Sequence, residues 1–133
     1  VQQGQSAEDV LFQIQREIIL ELAEKGDCII VGRCADDILE KAGTPCLSLF
    51  ICAPLDWRVH HRMELEQLDE RAAQTLVEKT DKQREKYYAH YTGRPWGLPE
   101  NYDLCINSAR LGIDRTAALL AEHCRQLFQV DHL

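Results

Sequence analysis

The stretch Cys28-Ile29-Ile30-Val31-Gly32-Arg33 decides how this chain is interpreted. An apolar run that stops at Gly-Arg predicts a buried strand with a cation at its carboxyl end. In open α/β sheets that edge is where ligands bind. Because a planar guanidinium matches phosphate or carboxylate geometry, Arg33 indicates an anionic ligand. The alternative is an ordinary surface arginine at the start of a loop.

Composition narrows the classes of protein. The chain has 133 residues, of which 45% are hydrophobic, and no apolar run approaches the roughly 18 residues of a membrane span. We therefore expect residues 1–133 to form a single soluble domain. The net charge of −7 opposes binding to nucleic acid or to a membrane surface. A small anionic ligand stays compatible with this charge, because a local arginine cluster can outweigh the overall field.

The start of the chain indicates a partial sequence, and the cysteines indicate the cellular compartment. The chain begins at Val1 rather than Met, and no secretory signal is recognisable, so we expect a partial chain of a cytoplasmic protein. Six cysteines without a C-x-x-C pair favour reduced thiols, and four of them lie in apolar runs typical of buried cysteine. His60 and His61 are adjacent and diverge by about 100° on a helix, so we predict no metal site.

Hydrophobic periodicity divides the chain into helices and strands. Ser6 and Asp9 predict a capping box for a helix that ends at Gly26. The apolar face of that helix is predicted from residues at helical spacing: Val10, Leu11, Ile14, Ile18 and Leu22. Further helices are predicted over 36–42, from Pro54 through Leu65, over 70–91 and over 113–128, with strands over 28–31, 47–52 and 104–106. Near-continuous apolar strands between helices predict an α/β fold, with a parallel sheet covered on both faces.

A second basic group follows the 47–52 strand. Arg58 and Arg62 are four residues apart, so they share one helical face and could hold one anion. Ion pairing with acidic neighbours, such as Glu66 for Arg62, is the equally open alternative. No Ser-His-Asp or Cys-His set is recognisable by spacing. The chemistry that fits is therefore electrostatic handling of phosphates.

An aromatic cluster spans the end of the 70–91 helix and the irregular tract 93–99 that follows it. It contains Tyr87, Tyr88, Tyr91 and Trp96, which could stack on a base or pack a lid. Core packing is the favoured role for Tyr88 or Tyr91.

Four segments resemble the cytidylate-kinase-like proteins of the P-loop nucleoside monophosphate kinases. They are VGRCADDIL, APLDWRVHHRM, KYYAHYTGRPWG and NYDLCINSARLGI. The resemblance covers most of the chain from about Asp9 to Cys124. It implies a partial P-loop kinase-like parallel sheet with a helical lid. It also implies a kinase that moves the γ-phosphoryl of ATP, with Mg²⁺, to a nucleoside monophosphate such as CMP.

The resemblance also implies how the acceptor nucleotide is bound. Gly32 and Arg33 match the Gly-Arg element that holds it. The better-known cytidylate kinases carry acids beside this element, whereas here the flanking residues are Val31 and Cys34. Asp36 or Asp37 is therefore the expected substitute.

Further roles follow for the lid. Arg58 and Arg62 match lid-helix arginines that close on the transferring phosphoryl. Asp81 and Arg84 lie near the acidic and basic residues after the lid, which contact acceptor and phosphate. We therefore expect Arg58, Arg62 and Arg84 to be catalytic and Asp81 to bind substrate.

The Gly-rich loop that cradles phosphates in this family has no counterpart here. No Gly-Lys-Ser/Thr sequence occurs, so the ATP-binding residues stay unassigned and autonomous kinase activity is not expected of these residues. The family's central strand would lie between 28–31 and 47–52. We expect a further N-terminal segment, direct pairing of those two strands, or a strand from another chain, as in a homodimer. The alternative functions are a non-catalytic nucleotide-binding or dimerisation module and a purely structural α/β domain.

Overall fold

The computed structural model describes residues 4–128, and its elements follow the predicted order closely. The helices are α1 (Ala7–Lys25), α2 (Ala35–Lys41), α3 (Leu55–Glu66), α4 (Glu70–Thr92), α5 (Ser108–Leu111) and α6 (Ile113–Phe128), with a 3-10 turn at Pro99–Asn101. The strands are β1 (Leu49–Cys52) and β2 (Leu104–Asn107). The five predicted helices are confirmed to within about a residue at each end, and the short α5 is an addition.

The predicted capping box at the start of α1 is confirmed. The Ser6 hydroxyl accepts a hydrogen bond from the Asp9 amide at 3.1 Å, and the Asp9 carboxylate accepts one from the Ser6 amide at 3.3 Å. The Tyr91 hydroxyl donates a third hydrogen bond to Asp9 at 2.9 Å. The bond from Tyr91, followed by the bond from the Ser6 amide, holds the pKa of Asp9 below its usual value. The start of α1 is therefore tied both to its own cap and to the end of α4.

Replacing Ser6 with alanine should lower the free energy of unfolding by about 1 kcal/mol, because the Asp9 amide at the helix start loses the hydroxyl that accepts its hydrogen bond. Urea unfolding followed by circular dichroism measures the change. Thr75→Ala is the matched control, since the Thr75 hydroxyl donates to a carbonyl in the helix interior at 3.0 Å and supports no cap. Equal unfolding midpoints for Ser6→Ala and the wild type would contradict the role of the cap.

The predicted apolar face of α1 is wrong in detail. The buried residues of α1 are Phe12 and Ile19. The leucines and isoleucines chosen from the periodicity keep 45–52% of their surface exposed: Leu11, Ile14, Ile18 and Leu22. Periodicity identifies the helix correctly, but which stripe is buried depends on where α2 and the end of α4 pack.

The predicted strand over 28–31 is also wrong. Residues 28–31 form no strand, and Ile29 and Val31 each keep 88% of their surface exposed. Ile30, which lies between them, is the apolar residue of this run that packs against the hydrophobic cluster around Phe12 and Ile38. A strand requires a hydrogen-bonded neighbour, and within residues 4–128 the only sheet pairs β1 with β2. Residues 28–31 therefore do not pair directly with the 47–52 strand, which was one of the three predicted alternatives.

The sheet consists of two parallel strands. Leu49 lies opposite Leu104, and the register continues to Cys52 opposite Asn107. β1 starts two residues later than predicted, whereas the strand predicted over 104–106 is confirmed with one further residue. The fold is thus a helix-dominated α/β arrangement with a small parallel sheet.

The chain divides into two compact units. The first comprises Val1–Ser48 and Glu85–Trp96, and the second comprises Leu49–Arg84 and Gly97–Leu133, with 1–3 and 129–133 lying outside the described residues. α4 contributes residues to both units. Formation of a single domain by residues 1–133 stays a prediction.

Each unit has its own hydrophobic cluster. That of the first unit, which we call the α1–α2 core, joins α1, α2 and the end of α4 through Phe12, Ile19, Cys34, Ala35, Ile38, Leu39 and Tyr88. That of the second unit joins α3 to the first half of α4 through Val59, Ala73 and Val77, with Met63 and Leu68 partly buried against it. The α1–α2 core therefore anchors the Gly32-Arg33 segment that precedes α2.

The cysteines differ from expectation in their burial. None of the six, all of which lie within residues 4–128, is in a disulfide, and only Cys34 is buried. Cys28 is exposed because the strand predicted over 28–31 is absent. Cys52 lies in β1 and Cys105 in β2, and both are exposed because this small sheet is covered on fewer sides than predicted.

Among the helices of residues 4–128, none combines the length and the apolar character that a membrane span requires.

Candidate functional site

The Gly32-Arg33-Cys34 turn is the most unusual backbone feature of the first unit. Its three residues have φ values of 71°, 57° and 58°, all in the left-handed region. Glycine adopts this conformation freely, whereas arginine and cysteine each lose about 1–2 kcal/mol by it. Consecutive strained residues are typical of binding sites, where the surrounding structure enforces the geometry.

Packing of Cys34 explains how the strain is held. Its side chain is buried in the α1–α2 core, and its carbonyl accepts from the Ile38 amide at 3.0 Å in the first turn of α2. Burial, with the nearby charges of Asp36 and Asp37, raises the pKa of the thiol to about 11. Cys34 therefore stays protonated near neutral pH and acts as an anchor of the turn rather than as a nucleophile.

Arg33 is exposed and carries an uncompensated charge at this turn. It forms no ion pair with any residue in 4–128. The Tyr87 hydroxyl donates to Gln15 at 3.2 Å. Burial raises the pKa of Tyr87, and the positive charge of Arg33 partly offsets that rise. A cation with no carboxylate partner suits an anionic ligand.

The structure distinguishes between the two acids that follow the turn. The side chain of Asp37 is only 8% exposed and forms ion pairs with Arg94 Nη2 at 3.0 Å and Lys41 Nζ at 2.9 Å. Its charge is therefore compensated within the protein. Asp36 is half-buried and accepts from the Tyr88 hydroxyl through Oδ2 at 2.8 Å, while its Oδ1 has no partner among the described residues. Asp36 is consequently the acid with a free acceptor beside the Gly-Arg turn.

In the second unit, α3 and α4 bring two predicted residues together. Arg58 Nη1 forms an ion pair with Asp81 Oδ2 at 2.7 Å, and Arg58 Nε donates to the Ala53 carbonyl at 2.9 Å. Val59, the next residue, is buried against α4 and fixes this face of α3. Two contacts on one guanidinium hold it in a defined orientation, with about a third of the side chain exposed.

The other two predicted cations are less constrained. Arg62 forms an exposed ion pair with Glu66 at 3.1 Å, one turn along α3. Arg84 is exposed on α4 and makes no ion pair within residues 4–128, three residues after Asp81 on the same helical face. Arg58 and Arg62 thus both adopt the ion pairs that the sequence left open as an alternative to anion binding.

The predicted site residues fall into two sets, one in each unit. Gly32, Arg33 and Asp36 belong to the first unit, and Arg58, Arg62, Asp81 and Arg84 belong to the second.

Sequence reasoning missed two residues beside the Gly-Arg turn. Tyr88 binds Asp36 through its hydroxyl, and Arg94 is the partner of buried Asp37. Both lie in the segment KYYAHYTGRPWG, which carried the resemblance but suggested no contact for them. No local pattern could have revealed these pairs, since their partners lie on α2, far away in sequence.

The protein is thus a helix-dominated α/β protein whose first unit carries a strained Gly-Arg turn followed by an acidic side chain with a free acceptor. Its second unit carries a fixed arginine–aspartate pair. The model of the cytidylate kinase-like family matches residues 1–110. The chain belongs to this family, which confirms the resemblance seen in the sequence and suggests a nucleotide kinase-like role.

Relatives of known structure support the fold. Among curated proteins nothing matches this chain. Three chains of solved structures match, among them an uncharacterized protein from Eubacterium ventriosum with 29% sequence identity and a TM-score of 0.81. The similarity covers 91% of this chain and 68% of that one.

Proposed function

We propose that this chain supplies the acceptor-binding and phosphoryl-handling residues of an ATP-dependent nucleoside monophosphate kinase with a P-loop kinase-like fold. The acceptor is a CMP-like monophosphate. The observation that carries this proposal is the Gly32-Arg33-Cys34 turn, where a strained backbone presents a guanidinium without a carboxylate partner among residues 4–128. Membership of the cytidylate kinase-like family supports it.

In this proposal the first unit binds the acceptor. The guanidinium of Arg33 binds the phosphate of the monophosphate with charge-assisted hydrogen bonds. Gly32 has no heavy atom within 4 Å of where a Cβ would lie, so the backbone on that side is open to a ligand. Asp36 Oδ1 accepts a hydrogen bond from an amino or hydroxyl group of the nucleoside.

The second unit handles the transferred group. Arg58, oriented by Ala53 and Asp81, offers positive charge to the phosphoryl oxygens, and Arg62 and Arg84 add to it. A metaphosphate-like transition state spreads charge over its equatorial oxygens, so fixed cations stabilise it. Asp81 acts on the substrate through Arg58. A helical lid formed by α3 and α4 belongs to the same proposal.

No residue is assigned to ATP or to Mg²⁺. The sequence has no Gly-Lys-Ser/Thr loop, and residues 4–128 hold no group of three side chains suited to a metal ion. The ion pairs of Arg58 with Asp81 and of Arg62 with Glu66 favour a second candidate function, a nucleotide-binding module without phosphotransfer. Incubation of the intact natural protein, rather than of residues 1–133 alone, with ATP, Mg²⁺ and CMP separates the two, because only the kinase forms CDP and ADP.

Acceptor binding is tested directly with Arg33→Ala. Losing a charge-assisted contact to the phosphate should weaken CMP binding about tenfold or more, measured by titration calorimetry. Arg16→Ala removes an exposed arginine of α1 from the same unit and should leave CMP affinity unchanged. A wild-type chain that shows no CMP binding at millimolar concentration would overturn the proposed function.

A further inference from the structure

The end of α4 reaches the Gly-Arg turn through consecutive tyrosines. Tyr88 is 6% exposed, and its hydroxyl donates to Asp36 Oδ2 at 2.8 Å. The neighbouring Tyr87 hydroxyl donates to Gln15 on α1 at 3.2 Å. The Asp36 carboxylate, which carries ligand chemistry in the proposed function, is therefore met by a hydroxyl from the end of α4.

We propose that Tyr88 is a positioning residue, whose hydroxyl holds the Asp36 carboxylate in the orientation that binds the acceptor nucleoside. This inference rests on the proposed function, since it concerns the same acceptor site. The ring of Tyr88 is part of the α1–α2 core, so the core fixes where the hydroxyl lies. A phenylalanine would fill the same space, but it would leave Asp36 without this donor.

A second contact strengthens the case for positioning. Arg94 lies over the Tyr88 ring, with 6.0 Å from its guanidinium carbon to the ring centroid, and it forms an ion pair with Asp37. The Thr92 hydroxyl donates to the Tyr88 carbonyl at 2.6 Å and accepts from the Arg94 amide at 3.0 Å. The end of α4 and the residues after it therefore hold the two adjacent carboxylates of α2 at once, one through Tyr88 and one through Arg94.

The two carboxylates differ in what they can still do. Asp37 already has two charged partners within the protein, Lys41 and Arg94. Asp36 receives a neutral hydroxyl at Oδ2, keeps its charge unneutralised by any ion pair in residues 4–128, and leaves Oδ1 open. The Tyr88 hydrogen bond fixes the carboxylate plane, which sets the direction of the open oxygen. A donor of the nucleoside then meets a preorganised acceptor.

The test compares Tyr88→Phe with Tyr91→Phe in calorimetric titrations with CMP. Both changes remove one hydroxyl near the end of α4, but the Tyr91 hydroxyl donates to Asp9 on α1. Tyr88→Phe should weaken CMP binding about tenfold, because an unanchored carboxylate must be ordered on binding. It should change the affinity for inorganic phosphate, measured by competition, less than about twofold, since phosphate contacts Arg33 rather than Asp36. Tyr91→Phe should change neither affinity.

A double-mutant cycle distinguishes positioning from a structural role. In the Asp36→Ala background, Tyr88→Phe should have no further effect on CMP binding. CMP affinity equal to the wild type in Tyr88→Phe, or an equal loss for CMP and phosphate, overturns the inference. If Arg33→Ala weakens binding while Tyr88→Phe does not, the inference fails and the proposed function stands. A wild-type chain that binds no CMP overturns both.

Discussion

Arg94→Met is expected to lower the free energy of unfolding by about 2–4 kcal/mol, because it leaves the buried carboxylate of Asp37 with only Lys41 as a cation among residues 4–128. Methionine keeps much of the length and the apolar stem of arginine, so the loss comes mainly from the charge. The Nη2–Oδ1 approach of 3.0 Å lacks hydrogen-bond geometry but remains an ion pair, since charge attraction does not require a linear donor.

Urea unfolding followed by circular dichroism measures this loss. The matched control is Arg125→Met, which removes an exposed ion pair with Glu122 at 3.0 Å and should lower stability by less than about 0.5 kcal/mol. Adding Asp37→Asn to Arg94→Met should restore part of the stability, because the uncompensated charge is removed. Equal losses at Arg94 and Arg125 would contradict the importance of burial at Asp37.

Helices were predictable because their signals are local. The capping box of Ser6 and Asp9, and Gly26 after the last turn, lie within or beside the helix that they delimit. The buried stripe of α1 was not predictable in the same way. Which face packs depends on α2 and on α4 residues that are distant in sequence, and the periodicity pointed to Leu11 and Ile14 instead of Phe12 and Ile19.

The strand over 28–31 failed for a related reason. An apolar run measures how readily a segment would enter a buried sheet, but it does not supply the neighbouring strand. β2 was predicted well because β1 provides its partner in register. The side chains of Ile29 and Val31 have no such neighbour within residues 4–128, and they remain exposed.

The candidate site was predictable in its residue types and not in its contacts. Arg33 was identified because Gly-Arg follows an apolar run, which is a local pattern. The choice between Asp36 and Asp37 depends on Tyr88 and Arg94, which lie at the end of α4 and just after it, far from α2 in sequence. Adjacent carboxylates look alike in a sequence, and only the fold assigns one to an internal ion pair.

Phe12→Ala is expected to give the largest loss of stability, about 3–5 kcal/mol, because it opens a cavity in the α1–α2 core. The Phe12 ring is 8% exposed, stacks on Tyr91 with centroids 4.0 Å apart, and meets the edge of Tyr87 at 6.3 Å. Leu11→Ala is the control, since this neighbouring side chain is 52% exposed and its loss should lower stability by less than about 1 kcal/mol.

The same substitution also links the core to the acceptor site. Phe12 supports the α4 turn that carries Tyr87 and Tyr88, so a cavity there loosens the Tyr88 hydroxyl that binds Asp36. We therefore expect Phe12→Ala to weaken CMP binding even at temperatures where circular dichroism shows the chain folded, whereas Leu11→Ala should not. Similar unfolding midpoints for the two variants would show that the Phe12 ring does not anchor α1 to α4, and the structural support assigned to the tyrosines would be wrong.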